Sequence, residues 1–405
     1  MQTRSLVKKV KSLLDNFPCV VLIGARQVGK STLLKQVLTN AKFYDLEREA
    51  DRQILSTDPD YFFSHTETPL IIDEAQIEPK IFNALRVAID AERNKKGRYL
   101  LSGSSSPHLI KNINESLAGR VAIIEVPNFD WQEAYGRDES QFAKNLFDIN
   151  ALEKLNQSTS HEELEELCLK GSFPEPFLDR VNELFYLNWY ENYIKSYIER
   201  DIRALFPNLN LEAYRRFISM LSFSSGEIMN YSKLASALDI SEPSVKNYLD
   251  IAEGTFLWRK LKSFQAQKKK IVIKAPKGHV RDTGLINYFL KIQTQDQLKS
   301  HPNYGYIWEV FIVEQILKNM ERFYVNFYYY YYRSKNKLEV DFIVESPQGL
   351  IPIEIKSGTS TNSKKLNHLK AFIDEYNCAF GILINNGDRI ARLSEKIIQV
   401  PAVFI

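Results

Sequence analysis

Gly24-Ala25-Arg26-Gln27-Val28-Gly29-Lys30-Ser31 fills every fixed position of the pattern GxxxxGK[ST]. It follows the apolar run Val20–Ile23 and leads into Thr32-Leu33-Leu34, which reads as the start of a helix. Strand, glycine-bounded loop and helix, in that order, are the context the pattern needs. The glycines let backbone N–H groups curl around a phosphate, and the helix start adds the positive end of its dipole. Lys30 is then placed for the β- and γ-phosphates of ATP and Ser31 for Mg²⁺, while Gly24, Ala25, Arg26, Gln27, Val28, Gly29 and Thr32 complete the nucleotide cradle.

A chance match to the loop pattern is opposed by a second stretch, Pro69-Leu70-Ile71-Ile72-Asp73-Glu74. Two acids at the end of a buried strand are costly unless a cation meets them. Asp73 is placed to hold Mg²⁺ through water, and Glu74 to orient and deprotonate the attacking water. The strand Tyr99–Leu101 runs into Ser102-Gly103-Ser104-Ser105, where Ser104 stands as a γ-phosphate sensor against the plainer reading of a turn. Arg120 sits immediately before the run Val121–Val126. It is either a finger reaching the γ-phosphate of a neighbouring subunit or a surface salt bridge.

Outward from this site, the short apolar runs Val20–Ile23, Leu70–Ile72, Tyr99–Leu101 and Val121–Val126 alternate with helix-patterned stretches. That alternation predicts a parallel sheet covered on both faces, an α/β P-loop domain over 1–135. A helical region is expected over 136–225 (Leu184–Arg203, Leu211–Leu221). Over 226–280, helices Tyr231–Leu238 and Pro243–Gly254, with Ser241 as N-cap, precede hairpin-like runs Thr255–Phe264 and Lys270–Ala275. This is a winged helix-turn-helix order. A second α/β unit is expected over 281–405, with helix Tyr306–Met320, strands Phe323–Tyr332, Leu338–Val344 and Leu350–Lys356, helix Lys364–Tyr376 and strand Phe380–Ile384.

Among 405 residues, 44% are hydrophobic and 25% charged, which suits more than one globular core. A net charge of +3 does not by itself announce a nucleic-acid binder. Cys19, Cys168 and Cys378 lie far apart and read as reduced, buried thiols, not a disulfide frame or zinc site. The first stretch, MQTRSLVKKVKSLLDNF, is charged throughout and lacks a signal segment, and no apolar run suggests a membrane span. The cytoplasm is the expected compartment.

Taken together, GARQVGKSTLL, LIIDEAQ, LLSGSSSPHL and SLAGR resemble AAA+-type ATPases of bacteria and archaea. More narrowly they resemble ATP-binding proteins with a poorly characterised C-terminal region. YIERDI (197–202), SVKNYLDIAEGTF (244–256), RDTGLINY (281–288) and EVDFIV (339–344) extend the likeness over essentially the whole chain. The resemblance implies ATP binding and hydrolysis, with a homo-oligomer and Arg120 acting in trans among its options.

In the C-terminal stretch, Glu309 interrupts an apolar helix face, Asp341 interrupts a strand, and Glu354 and Lys356 share one face of the next strand. An Asp followed by Glu-x-Lys on an adjacent strand resembles the PD-(D/E)xK nucleases, whose fold is restriction-endonuclease-like; Val340 replaces the usual preceding proline. Clustered carboxylates must bind hard cations or repel one another, so Asp341 and Glu354 are candidate Mg²⁺ ligands. Lys356 and Glu309 complete the candidate catalytic set. The competing readings are an ion-pair network and a nuclease fold without cleavage.

Five tyrosines, Tyr328–Tyr332, suit a half-buried strand; stacking of nucleobases is the alternative. Lys268–Lys270, Lys274, Lys277 and His279 sit where a wing would touch a phosphate backbone. Ser244, Lys246, Asn247 and Tyr248 share the second helix with Asp250 and Glu253, a mixed charge that argues against tight sequence-specific reading. DNA is the expected partner, with protein docking as the competitor. The favoured whole is an ATPase controlling a Mg²⁺-dependent nuclease centre. An ATP-driven switch with a silent nuclease fold and a nucleic-acid translocating motor are the rivals.

Overall fold

The computed structural model describes residues 2–104, 113, 115–178, 185–265, 275–334, 338–359 and 363–405, with backbone only at 363 and 364. Ser105, much of LLSGSSSPHL, Lys268–Lys270 and Lys274 therefore lie outside the described residues. The chain divides into two compact units. One is Met1–Phe129 with Phe173–Glu175 and Gly254–Phe256; the other is Asp130–Ser172, Pro176–Glu253 and Leu257–Ile405.

The first unit is built on strands β1 (Cys19–Gly24), β2 (Lys42–Asp45), β3 (Leu70–Asp73), β4 (Tyr99–Ser104) and β5 (Val121–Glu125). They form a sheet in the order β2-β3-β4-β1-β5, with every pairing parallel. Helices α1 (Val7–Asn16), α2 (Lys30–Val37), α3 (Glu49–Thr57), α4 (Pro59–His65) and α5 (Ile81–Ala91) accompany it. All six residues of β1 are buried, as a strand covered on both faces must be. Val21, Leu55, Phe63, Ile72, Leu85 and Leu101 belong to one apolar cluster. β2 was not expected: its residues, KFYD, are exposed or half-buried at the sheet edge and carry no apolar run.

The second unit holds a nine-stranded mixed sheet. Its strands are β6 (Glu227–Ile228), β7 (Trp258–Ser263), β8 (Lys277–Val280), β9 (Tyr328–Arg333), β10 (Glu339–Ser346), β11 (Gly349–Ile355), β12 (Gly381–Asn385), β13 (Ala391–Ser394) and β14 (Ile397–Pro401). Helices Tyr231–Leu238 and Glu242–Gly254 precede β7, and the Ser241 hydroxyl accepts from the Ser244 N–H at 3.2 Å, as an N-cap should. β7 pairs antiparallel with β8 and parallel with β9, so the hairpin is a continuation of the C-terminal sheet. Apart from Phe173–Glu175 and Gly254–Phe256, stretches 136–225, 226–280 and 281–405 belong to this unit, which begins at Asp130.

Of the strand expected at Lys270–Ala275 only Ala275 is described; among the described residues the antiparallel partner of β7 is Lys277–Val280. The five tyrosines do not simply alternate: Tyr331 and Tyr332 are both buried, while Tyr328 is 60% exposed. YIERDI forms a π-helical turn between helices Phe185–Ser196 and Arg203–Leu205. Among the described residues no helix is long and apolar enough to cross a membrane. The three cysteines are free and buried.

Candidate active site

β4 lies between the loop strand β1 and the acid strand β3, and this order assembles the site. Gly24 is in register with Ser104, so the loop begins beside the end of β4. A Cβ on Gly24 would come 2.4 Å from the Val126 carbonyl oxygen, which leaves glycine as the residue that fits. The backbone then turns through positive φ at Gln27 (60°) and Gly29 (90°). No side chain caps the start of α2, so its first-turn amides keep the capacity to bind an anion. The Lys30 ammonium donates to the carbonyl oxygens of Ala25 (2.8 Å) and Gly24 (3.2 Å). Ser31 is exposed at the same helix start.

Asp73 is buried and accepts a hydrogen bond from the Ser102 hydroxyl. Glu74 has a left-handed backbone (φ 54°), a strained conformation for a non-glycine residue. Its Oε2 accepts from the Ser104 hydroxyl at 3.0 Å, from the Ser104 N–H at 3.2 Å and from the Gln76 amide. Burial pushes the Glu74 carboxyl up, but the Lys30 charge and the Gln76 and Ser104 hydrogen bonds outweigh it and hold it low and ionised. Among the described residues Gln76 Oε1 is a buried acceptor without a partner, adjacent to this carboxylate. The uncapped helix start, the acid pair facing a single lysine and this orphaned acceptor fit a nucleotide's phosphates, Mg²⁺ and a water.

Arg120 makes a two-pronged ion pair with Asp90 at 2.7 and 2.8 Å. Two residues outside the motifs also shape the loop. The buried Arg4 guanidinium donates to the carbonyl oxygens of Val28 and of Pro127 (2.7 Å), clamping the loop to the chain beyond β5. Glu47, just past β2, pairs with Arg26 at 3.0 Å.

In the second unit, Glu309, Asp341, Glu354 and Lys356 do come together, but two further lysines come with them. Lys356 lies 2.7 Å from Glu354 and 3.2 Å from Asp341. Lys365 lies 3.1 Å from Glu354 and 3.8 Å from Asp341. Lys277 pairs with Glu309. Burial pushes Glu354 up to about 8, with Asp341 adding to the rise and the lysines opposing it. Burial likewise raises Glu309 to about 7, against the pull of Lys277. At Asp341 burial loses to the charges of Lys356, Lys277 and Lys365, which hold it well below the usual range.

Glu339 also lies 4.0 Å from Lys365, so three ammonium groups meet four carboxylates and offset most of their charge. Among the described residues no group of three His, Cys, Asp or Glu has the arrangement of a metal site. Mg²⁺ needs near-octahedral oxygen ligands at about 2.1 Å, and here the lysines stand in that place. Asp341 and Glu354, the expected metal ligands, are brought together with Lys356 and Lys365 as their ion-pair partners.

Lys277 and His279 also correct the sequence reading. Both are buried, not displayed on a wing. Lys277 meets Glu309, and His279 Nε2 lies 2.8 Å from Glu314. Glu314 is further held by Arg259, with Arg281 at 3.8 Å. Burial keeps His279 below its usual value and so neutral, despite its carboxylate neighbour.

The first unit's parallel sheet, loop and acid pair define a P-loop ATPase of the AAA type. A family model described as "AAA domain" matches residues 16–135. Two models described as domains of unknown function, DUF8612 and DUF4143, match 161–296 and 304–404. The uncharacterized proteins Mb2031c of Mycobacterium bovis and Rv2008c of Mycobacterium tuberculosis are each 30% identical over 99% of this chain and 84% of their own length. The chain belongs to their family. Among solved structures, the Walker-type ATPase of Pyrococcus abyssi matches 72% of this chain and 96% of its own at 17% identity and TM-score 0.46. The Thermotoga maritima RuvB Holliday junction branch migration motor matches 64% and 90% at 14% identity and TM-score 0.30.

Proposed function

We propose that the chain binds and hydrolyses ATP at the first-unit site and acts as an ATP-driven switch, its C-terminal carboxylates serving as structure and not as a cutting centre. The observation that supports hydrolysis is the grip of Ser104 and Gln76 on Glu74 beside the glycine loop. Lys30 exchanges its carbonyl partners for β- and γ-phosphate oxygens. Glu74, held ionised, takes the proton of the attacking water, and Ser104 keeps its carboxylate aimed while standing where the γ-phosphate ends. Ser31 and Asp73 would hold Mg²⁺, which when bound neutralises triphosphate charge. Gly24 to Thr32 form the cradle, the loop amides enclosing the phosphates.

Phosphate-release assays test this reading. Glu74→Gln should bind ATP but hydrolyse it about 10²- to 10⁴-fold more slowly, and Lys30→Ala should lose binding as well. Hydrolysis by Glu74→Gln at the wild-type rate would remove the assignment. An oligomer with Arg120 acting in trans requires that guanidinium to leave Asp90; loss of hydrolysis on dilution would mark it.

The second reading, cleavage of DNA in the cytoplasm by a restriction-endonuclease-like domain, rests on the convergence of Glu309, Asp341, Glu354 and Lys356; the charge balance weighs against it. Labelled single-stranded, duplex and branched DNA with Mg²⁺ or Mn²⁺, with and without ATP, should stay intact. Metal-dependent cutting that vanishes in both Asp341→Asn and Lys356→Ala would replace the switch reading.

A further inference from the structure

One open face of the nine-stranded sheet has no part in either site above. β7 presents Lys260 and Lys262 on one side, because alternate strand residues share a face. Lys262 is in parallel register with Tyr330 on β9, and Tyr328, two residues earlier on that side, is 60% exposed. Lys260, Lys262 and Tyr330 border a groove of about 890 Å³, with Tyr231, Phe264 and Glu345 also in its lining; Tyr328 lies outside that lining, further along β9. A volume of this size falls in the upper part of the ~300–1,000 Å³ range of ligand sites. A recess of about 340 Å³ shares Tyr231, Lys260 and Pro276 with it. There the Lys246 ammonium lies 5.6 Å from the Tyr231 ring centre.

Neither Lys260 nor Lys262 has an ion-pair partner among the described residues, in contrast to the lysines of the carboxylate cluster. Glu345 is the acid of the larger groove, and it already accepts from the Tyr330 hydroxyl. The face therefore combines two uncommitted cations with aromatic rings set on a rigid sheet.

We propose that this groove binds single-stranded nucleic acid, with Lys260 and Lys262 on the phosphates and Tyr328 and Tyr330 under the bases. Lysines that track a backbone and rings that accept any base's π-face are what sequence-tolerant single-strand binding needs. A duplex keeps its bases stacked inside and offers those rings nothing. The smaller recess, with Asp250 and Glu253 in its wall, repels phosphate and confines the strand to the larger groove. The inference stands apart from the ATP-site reading, because none of these residues belongs to the first unit.

Fluorescence anisotropy of the full chain with labelled oligothymidylate, titrated at several salt concentrations, is the test. The wild type should bind. Lys260→Glu with Lys262→Glu should weaken binding and flatten the log–log salt dependence by about one unit per lysine. Tyr328→Ala should weaken binding about five- to 150-fold, the range that corresponds to ~1–3 kcal/mol of stacking per base. All three side chains are exposed or half-buried, and unchanged circular-dichroism melting would confirm intact folding. Absence of wild-type binding at low salt overturns the proposal. So does binding that neither variant alters, or duplex bound as tightly as single strand with no effect of Tyr328→Ala.

Discussion

Two buried lysine sites in this chain look alike in sequence and differ in what their cations rest on. In the first unit Lys30 donates to the loop's own carbonyl oxygens, and the site's acids, Asp73 and Glu74, outnumber it. The Lys30 charge also acts on Glu74, so the two carbonyls are only part of its surroundings. In the second unit Lys277, Lys356 and Lys365 rest on the carboxylates of Glu309, Asp341, Glu354 and Glu339. A buried ammonium on a buried carboxylate is costly to part. The first arrangement keeps its lysine on backbone carbonyls beside two acids; the second commits its lysines to carboxylates.

The widest test of this contrast separates activity from stability. Lys277→Met leaves Glu309 buried and uncompensated, and removing one partner of a buried pair costs about 3–5 kcal/mol. Urea unfolding should show that loss. Lys277→Met combined with Glu309→Met should recover most of it, since apolar replacement of a whole pair is often neutral. Lys30→Ala should do the reverse, abolishing hydrolysis while changing stability by no more than about 1 kcal/mol, the mean effect of a point substitution. Equal stability losses in Lys30→Ala and Lys277→Met would erase the distinction.

A smaller effect is expected from Arg4. Its guanidinium holds the loop by the backbone carbonyl of Val28 and by Pro127. Arg4→Met should raise the KM for ATP about tenfold, equivalent to ~1.4 kcal/mol, with a smaller change in kcat. A kcat loss without a KM change would place Arg4 in the chemical step instead.

The glycine loop and acid pair were legible because their chemistry is local: the loop's backbone path demands glycine, and its lysine and serine are adjacent in the chain. β2 was hidden because a short edge strand with a lysine and an aspartate carries no apolar signal. Arg4 was hidden because an arginine near the N-terminus acquires meaning only through Val28 and Pro127. Lys277 and His279 were misread for a related reason. Cations on a strand after two short helices suggest a wetted wing, and the acids that permit their burial lie 32 and 35 residues further on. Asp341, Glu354 and Lys356 were legible as a cluster, but its charge balance depends on Lys277 and Lys365, which no motif singles out.

The smallest effect expected concerns pH. Glu309 and Glu354 have values pushed up to about 7 and about 8 in the folded chain by burial, against ~4.3 for an unfolded glutamate. Between those limits the folded chain holds more protons than the unfolded one, so their contribution falls as pH rises through that window. Asp341 acts in the opposite sense. Its depressed value contributes stability above the unfolded ~3.9 and loses it as pH falls below that, so the two windows do not overlap. Urea unfolding between about pH 5 and pH 8 should therefore show wild-type stability declining relative to Glu354→Gln, which cannot ionise, by on the order of 1 kcal/mol per pH unit. Parallel pH profiles would mean that Lys356 and Lys365 keep Glu354 ionised throughout. The centre would then hold its carboxylates ionised against the three lysines, with no bound proton.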